Sequence, residues 1–183
     1  RQLIWIFRCI QIFYCQRIVR FTCIIFFIFC LGRFNHYTSS FMLPATLQDN
    51  APYTLEAWVL NDSISENECV ADFTTSHDEL EKIMLVNGTE PRCGVINHYG
   101  WYEDAGYKDM KELAGKWQHI YICFDGRMEQ VYVNGKLVSE KDIQLLVKPS
   151  QFITLGRNAE GDWPFTGYLH SLKLWDEYLP LKE

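Results

Sequence analysis

The stretch Trp117-Gln118-His119-Ile120-Tyr121-Ile122-Cys123-Phe124-Asp125-Gly126-Arg127-Met128-Glu129-Gln130-Val131-Tyr132-Val133-Asn134-Gly135-Lys136-Leu137-Val138 decides the fold of this chain. Its first eight residues are mostly aromatic or β-branched, the types that suit a pleated, half-buried surface. Asp125-Gly126 starts a turn, and residues 128–133 read as a second strand. Asn134-Gly135 accepts the positive φ angles of a two-residue type I′ turn. Lys136-Leu137-Val138 therefore folds back antiparallel on Val131-Tyr132-Val133.

Working outward, the same strand pattern continues on both sides. Tyr53-Thr54-Leu55-Glu56-Ala57-Trp58-Val59-Leu60 alternates, with Leu55, Ala57 and Val59 on one face and Thr54 and Glu56 on the other. Cys69-Val70-Ala71-Asp72-Phe73-Thr74 and Lys82-Ile83-Met84-Leu85-Val86 read as further short strands, the latter closed by Asn87-Gly88. Gly94-Val95-Ile96-Asn97-His98-Tyr99 is another, followed by the aromatic loop Gly100-Trp101-Tyr102-Glu103-Asp104-Ala105-Gly106-Tyr107. Residues 109–113 have room for one helical turn, too short to hold without packing. Downstream, Phe152-Ile153-Thr154-Leu155-Gly156 and residues 167–175 are strands around a loop that contains Trp163-Pro164. Many short strands separated by turn residues imply an all-β protein of two packed antiparallel sheets.

Composition bounds the rest. With 183 residues, 48% hydrophobic and 15% aromatic, the chain supports one buried core plus an appendage. Residues 1–40 hold Arg1, Arg8, Arg17, Arg20 and Arg33 and no acidic residue. Residues 41–183 therefore carry 12 basic against 23 acidic residues, a net of −11. Such a domain repels a phosphate backbone, which excludes nucleic acid as a partner. Its cysteines, Cys69, Cys93 and Cys123, form no C-x-x-C pair, so no zinc site is expected. A Cys69–Cys93 disulfide in an oxidising compartment and three separate thiols are both compatible with the spacing. Cys123, inside an apolar strand, is expected in the core.

Residues 1–40 are a separate, atypical segment. Up to Arg33 they are built mainly of Ile, Phe, Cys, Arg and Gln, without Ala, Asp, Glu, Lys or Pro. Three readings stay open. One is a signal or membrane anchor around the apolar run at residues 21–31, which lacks a small-x-small cleavage site and is too short to span a bilayer unaided. Another is a buried or amphipathic helix, against which Arg8, Arg17 and Arg20 fail to share a stripe and the β-branched and aromatic residues are mediocre helix formers. The third is non-native sequence, since the composition changes abruptly near Phe41.

Beyond that boundary the motifs resemble a known family. Gly115-Lys116-Trp117-Gln118-His119-Ile120 with Phe124-Asp125-Gly126 and Val131-Tyr132-Val133-Asn134-Gly135-Lys136-Leu137-Val138 is similar to the signature W-x-H-[IV]…[YF]-D-G…[LV]-Y-[VI]-N-G-x-[LV]. That signature belongs to the laminin-G-like, concanavalin A-like jelly-roll superfamily. Tyr53-Thr54-Leu55-Glu56-Ala57-Trp58-Val59 resembles its early strand, and Ile153-Thr154-Leu155-Gly156, Phe165-Thr166-Gly167-Tyr168-Leu169 and Leu174-Trp175 resemble its closing strands. Of the family's opening F-x-G…Y-[VI]-x-[LIV]-P strand only Leu43-Pro44 is recognisable. The resemblance implies an antiparallel two-sheet jelly-roll sandwich over residues 41–183.

It also frames the function. Glucanases of this superfamily need paired carboxylates in an E-x-D-x-x-E or E-x-D-x-E pattern, about 5 Å apart. Glu140-Lys141-Asp142-Ile143-Gln144-Leu145 lacks the second Glu, so no enzyme activity is expected. Carbohydrate binding needs aromatic rings for sugar C–H faces and planar polar groups for hydroxyls. The candidate ligand-binding residues are Trp101, Trp163, Tyr102, His98 and Tyr107, with Tyr99 beside them; the alternative is that such loop aromatics cap the core. Trp58, Trp117 and Trp175 are expected to be packing residues, and His119 and His170 ordinary strand positions. Calcium is the ion the resemblance implies, with hard oxygens in Asn61, Asp62 and Glu66 and in Asn158, Glu160 and Asp162. The expectation is a non-catalytic carbohydrate-binding or adhesion-type module of a secreted or cell-surface protein, of bacterial periplasmic or outer-surface type. Its partner is a glycan or a neighbouring domain, and a membrane enters only through the N-terminal segment. The alternative is a spacer packed against a catalytic domain, and a glycoside hydrolase follows after that.

Overall fold

The computed structural model describes residues 11–12, 24–35, 39–42, 50–63, 68–73, 84–87, 114–143 and 152–182. Their regular structure is eleven strands: β1 (Gln11–Ile12), β2 (Ile24–Asn35), β3 (Ser39–Met42), β4 (Tyr53–Asn61), β5 (Glu68–Asp72), β6 (Met84–Asn87), β7 (Gln118–Phe124), β8 (Met128–Val133), β9 (Lys136–Asp142), β10 (Phe152–Leu155) and β11 (Thr166–Trp175). They form a seven-stranded sheet in the order β1-β2-β11-β4-β7-β8-β9 and a four-stranded sheet in the order β3-β10-β5-β6. Every pairing is antiparallel. This is the expected jelly-roll sandwich. Among the described residues no helix is long and apolar enough to cross a membrane.

Period-two alternation builds the core. Leu55, Ala57 and Val59 of β4 point inward with Ile120, Ile122 and Phe124 of β7, Val131 and Val133 of β8, and Leu169, Leu172 and Leu174 of β11. Val70, Ala71 and Phe73 from β5 and the residue after it, Ile153 and Leu155 of β10, and Phe165 complete the same buried cluster. The β7-β8-β9 meander follows the sequence reading, with Val133 opposite Lys136 across the Asn134-Gly135 turn. Those two turn residues have φ of 52° and 79°. The Asn134 N–H donates to the His119 carbonyl (2.7 Å) and its Oδ1 accepts from the His119 N–H (2.8 Å). The tip of the hairpin is thereby fastened to the start of β7.

The N-terminal segment behaves differently from its sequence reading, which gave it no strand. β2 pairs with β11 from Asn35 opposite Thr166 to Ile24 opposite Trp175, and β1 pairs with β2. Its Ile- and Phe-rich composition disfavours a helix and fits a strand. β3 pairs with β10 and ends immediately before Leu43-Pro44, so it occupies the place of the family's opening strand. Its sequence, Ser39-Ser40-Phe41-Met42, does not carry that strand's motif. The strand expected at residues 94–99, the turn at residues 109–113 and the Cys93 end of the Cys69–Cys93 pairing lie outside the described residues. Cys69 and Cys123 are both buried.

Candidate functional site

Among the described residues, two places on the sandwich present aromatic rings beside polar groups. The first is the loop between β10 and β11, which holds Trp163. Its base is closed by backbone bonds from the Gly156 N–H to the Val70 carbonyl (3.0 Å) and from the Phe165 N–H to the Gly156 carbonyl (2.8 Å). Asn158 organises the interior: its Oδ1 accepts from the Asp162 N–H (2.6 Å), and its carbonyl accepts from the Gly161 N–H (3.1 Å). The buried Asp72 carboxylate accepts from the Ala159 N–H (2.8 Å), and the Trp163 carbonyl accepts from the Cys69 N–H (2.8 Å). Trp163 itself is half-buried and has φ of 53°, a left-handed conformation that a bulky residue rarely adopts.

Of the other expected ligand-binding residues, His98, Trp101, Tyr102 and Tyr107 lie outside the described residues, as does Tyr99. Of the expected calcium ligands, Asn61 and Asp62 lie at the end of β4, and Asn158, Glu160 and Asp162 lie in the loop between β10 and β11. Asn61 is buried and donates through Nδ2 to Glu68 Oε2 (2.8 Å), while the Asn158 side-chain oxygen is engaged by Asp162. Among the described residues no group of three or more His, Cys, Asp or Glu could hold a metal ion. Glu66 lies outside them.

The second place is the outer face of the seven-stranded sheet, which the sequence reading did not single out. The register sets Glu56 beside Lys173 of β11 and Trp58 beside His119 of β7. Lys173 Nζ donates to both Glu56 carboxylate oxygens at 3.1 Å, and His119 Nε2 lies 3.2 Å from Oε1. The hydrogen bond from His119, followed by those contacts with Lys173, holds the Glu56 carboxyl below the usual glutamate range despite its partial burial. The Trp58 indole stacks on the His119 ring at 4.8 Å. Trp117 lies 6.5 Å from the Tyr168 ring and meets His170 edge-on at 6.2 Å.

Trp58 and Trp117 are 39% and 40% exposed, so neither is the packing residue expected. Trp175 is, at 9%. The cause is alternation: Trp58 falls between the inward Ala57 and Val59, and Trp117 precedes the first paired residue of β7. The alternation of β4 carries that signal in the sequence, against the general tendency of tryptophan to be buried.

Only part of this face is open. After β11 the chain turns back over it, and the Thr54 hydroxyl donates to the Glu177 carbonyl (2.8 Å) while accepting from the Leu179 N–H (2.9 Å). The Tyr121 hydroxyl donates to the Leu179 carbonyl (2.8 Å). Burial pushes the Tyr121 hydroxyl up to about 12 and the Cys123 thiol up to about 11. What the uncovered part offers is two indole faces, a histidine on each, and a lysine–glutamate pair. That combination suits stacking and hydrogen bonding.

Comparison with known proteins fits this architecture. The family model Laminin_G_3, described as the concanavalin A-like lectin/glucanases superfamily, matches residues 35–183. A search of curated protein sequences finds no match. Among solved structures, domain 4 of an extracellular GH43 arabinanase from Geobacillus stearothermophilus, in complex with arabinotriose, is similar at a TM-score of 0.64 and 19% identity, covering 84% of this chain and 77% of that one. The NanB sialidase of Streptococcus pneumoniae is similar at 0.62 and 12% identity, covering 87% of this chain but only 27% of the sialidase. The CBM40 of a Ruminococcus gnavus IT-sialidase, bound to α2,3-sialyllactose, is similar at 0.54 and 11% identity, covering 81% and 95%.

Proposed function

We propose that this chain, which belongs to the concanavalin A-like lectin/glucanase superfamily, is a non-catalytic glycan-binding module of an exported or cell-surface protein. The observation that carries the reading is Trp163, a half-buried aromatic residue on a loop held by Asp72, Asn158 and the backbone of β5. Its left-handed φ costs on the order of 1–3 kcal/mol, which the surrounding bonds must offset. A loop backbone held in this way has little ordering left to lose when a sugar binds. Sugar binding by His98, Trp101, Tyr102 and Tyr107, in the aromatic stretch that precedes β7 in sequence, is part of the same proposal. Support also comes from the two similar domains that hold an oligosaccharide, and from the extracellular setting of the arabinanase.

The non-catalytic part of the reading is supported by the sequence, in which the paired-carboxylate pattern of the glucanases is unmatched. Affinity electrophoresis of the chain through gels containing dissolved polysaccharides tests the reading, with Trp163→Ala expected to reduce retardation sharply. Retardation by none of them leaves the spacer reading. Reducing-sugar release from a β-glucan would show an enzyme instead.

A further inference from the structure

We infer that the open part of the outer face of the seven-stranded sheet, around Trp58 and Trp117, is a second carbohydrate-binding surface, distinct from the Trp163 loop. The inference rests on the glycan-binding reading and adds a site to it.

Three observations converge. The first is exposure: indoles are among the largest apolar groups in a protein, and Trp58 and Trp117 each leave about two-fifths of their surface in water. The second is selective covering. Residues 177–181 cover Thr54, Tyr121 and Cys123 on this same face, whereas Trp58 and Trp117 are exposed. The third is rigidity. Trp58, Glu56 and His119 lie on paired central strands, and Lys173 fixes Glu56 with two bonds, so binding orders no backbone.

The chemistry between the rings decides the kind of occupant. A dry protein interface over this patch would strip water from Glu56, Lys173 and His119, and desolvating such charges offsets what the indoles gain. A sugar chain covers the indoles with C–H faces while its hydroxyls replace the lost water on the carboxylate, ammonium and imidazole groups. The surface therefore fits a polyhydroxylated ligand better than an apolar one.

The test is affinity electrophoresis of the full chain in gels containing barley β-glucan, arabinan, xylan or galactomannan, with sedimentation velocity alongside. For a polysaccharide that retards the wild type, Trp58→Ala and Trp117→Ala are each expected to weaken binding about fivefold to tenfold, the scale of one stacked ring. Trp163→Ala is expected to leave part of that retardation in place. If both outer-face variants bind as the wild type does while Trp163→Ala abolishes retardation, the second surface is refuted and the glycan-binding reading survives. If no polysaccharide retards the wild type, both fall. If the wild type sediments as a dimer that Trp58→Ala or Trp117→Ala dissociates, the face is a protein interface and the inference is overturned.

Discussion

Gly167 shows how closely β11 is laid on β4. Its φ is 154°, and a Cβ added there would stand 2.0 Å from the Leu60 carbonyl oxygen and 2.9 Å from Asn61 Cα. Both are backbone atoms of the paired strand, so no side chain can swing aside. Gly167→Ala is expected to cost about 3 kcal/mol or more of stability, read as a lower urea midpoint. Two glutamates give opposite pH signatures. Glu56 is lowered by His119 and Lys173, so it adds stability above its ordinary 4.5 that is lost as pH falls through the lowered folded value. Glu68 is raised, chiefly by burial and against the bonds from Asn61 and Thr166. The folded state then holds its proton more tightly, and stability declines as pH climbs from 4.5 through the raised value. Urea unfolding across pH 3 to 8 checks both: Glu56→Gln should flatten the acid limb, and Glu68→Gln should flatten the decline above it. Legibility at this scale was uneven. Alternation in β4 assigned Glu56 to the outer face correctly, yet the same alternation at Trp58 was outweighed by the habit of burying tryptophan.

At the scale of elements, turn chemistry was the most legible feature. Asn134-Gly135 announced the β8–β9 hairpin because few residue pairs accept two positive φ angles, and the structure has both. Asn134 adds what no turn rule contains, a side-chain bond to the His119 N–H that ties a third strand to the tip. Asn134→Ala should lose about 1–3 kcal/mol, from the left-handed penalty and the lost bond together. Asn134→Gly keeps the φ and should lose less, so urea midpoints of the two separate backbone strain from the tether. β2 and β3 were not legible. The apolar run of β2 cannot be told from a signal segment or a buried helix by periodicity, the four residues of β3 are too few to show a period, and only the partner strands, β11 and β10, give the two a structure. The bulge between Leu169 and Ser171 was equally hidden, because it depends on register with two neighbours.

Across the whole molecule, the two-sheet sandwich was readable because core alternation and turn residues repeat through the chain, whereas the cover over the outer face was not. Residues 176–182 have no strand pattern, and their role comes from hydroxyls on two central strands far away in sequence. That cover makes a prediction about Cys123. The thiol lies beneath the segment, near the Leu181 backbone, and burial pushes it up to about 11, so little thiolate is present at neutral pH. Thr54→Val keeps the shape of the side chain but removes the donor to the Glu177 carbonyl and the acceptor for the Leu179 N–H. Each bond contributes about 1 kcal/mol, so the variant should raise the population of the lifted segment roughly tenfold or more. Alkylation of Cys123 by N-ethylmaleimide, followed by peptide mass mapping, should then be slow in the wild type, faster in Thr54→Val and faster again with Tyr121→Phe added. Equal rates in all three would mean that the sheet, and not the returning chain, shields the thiol.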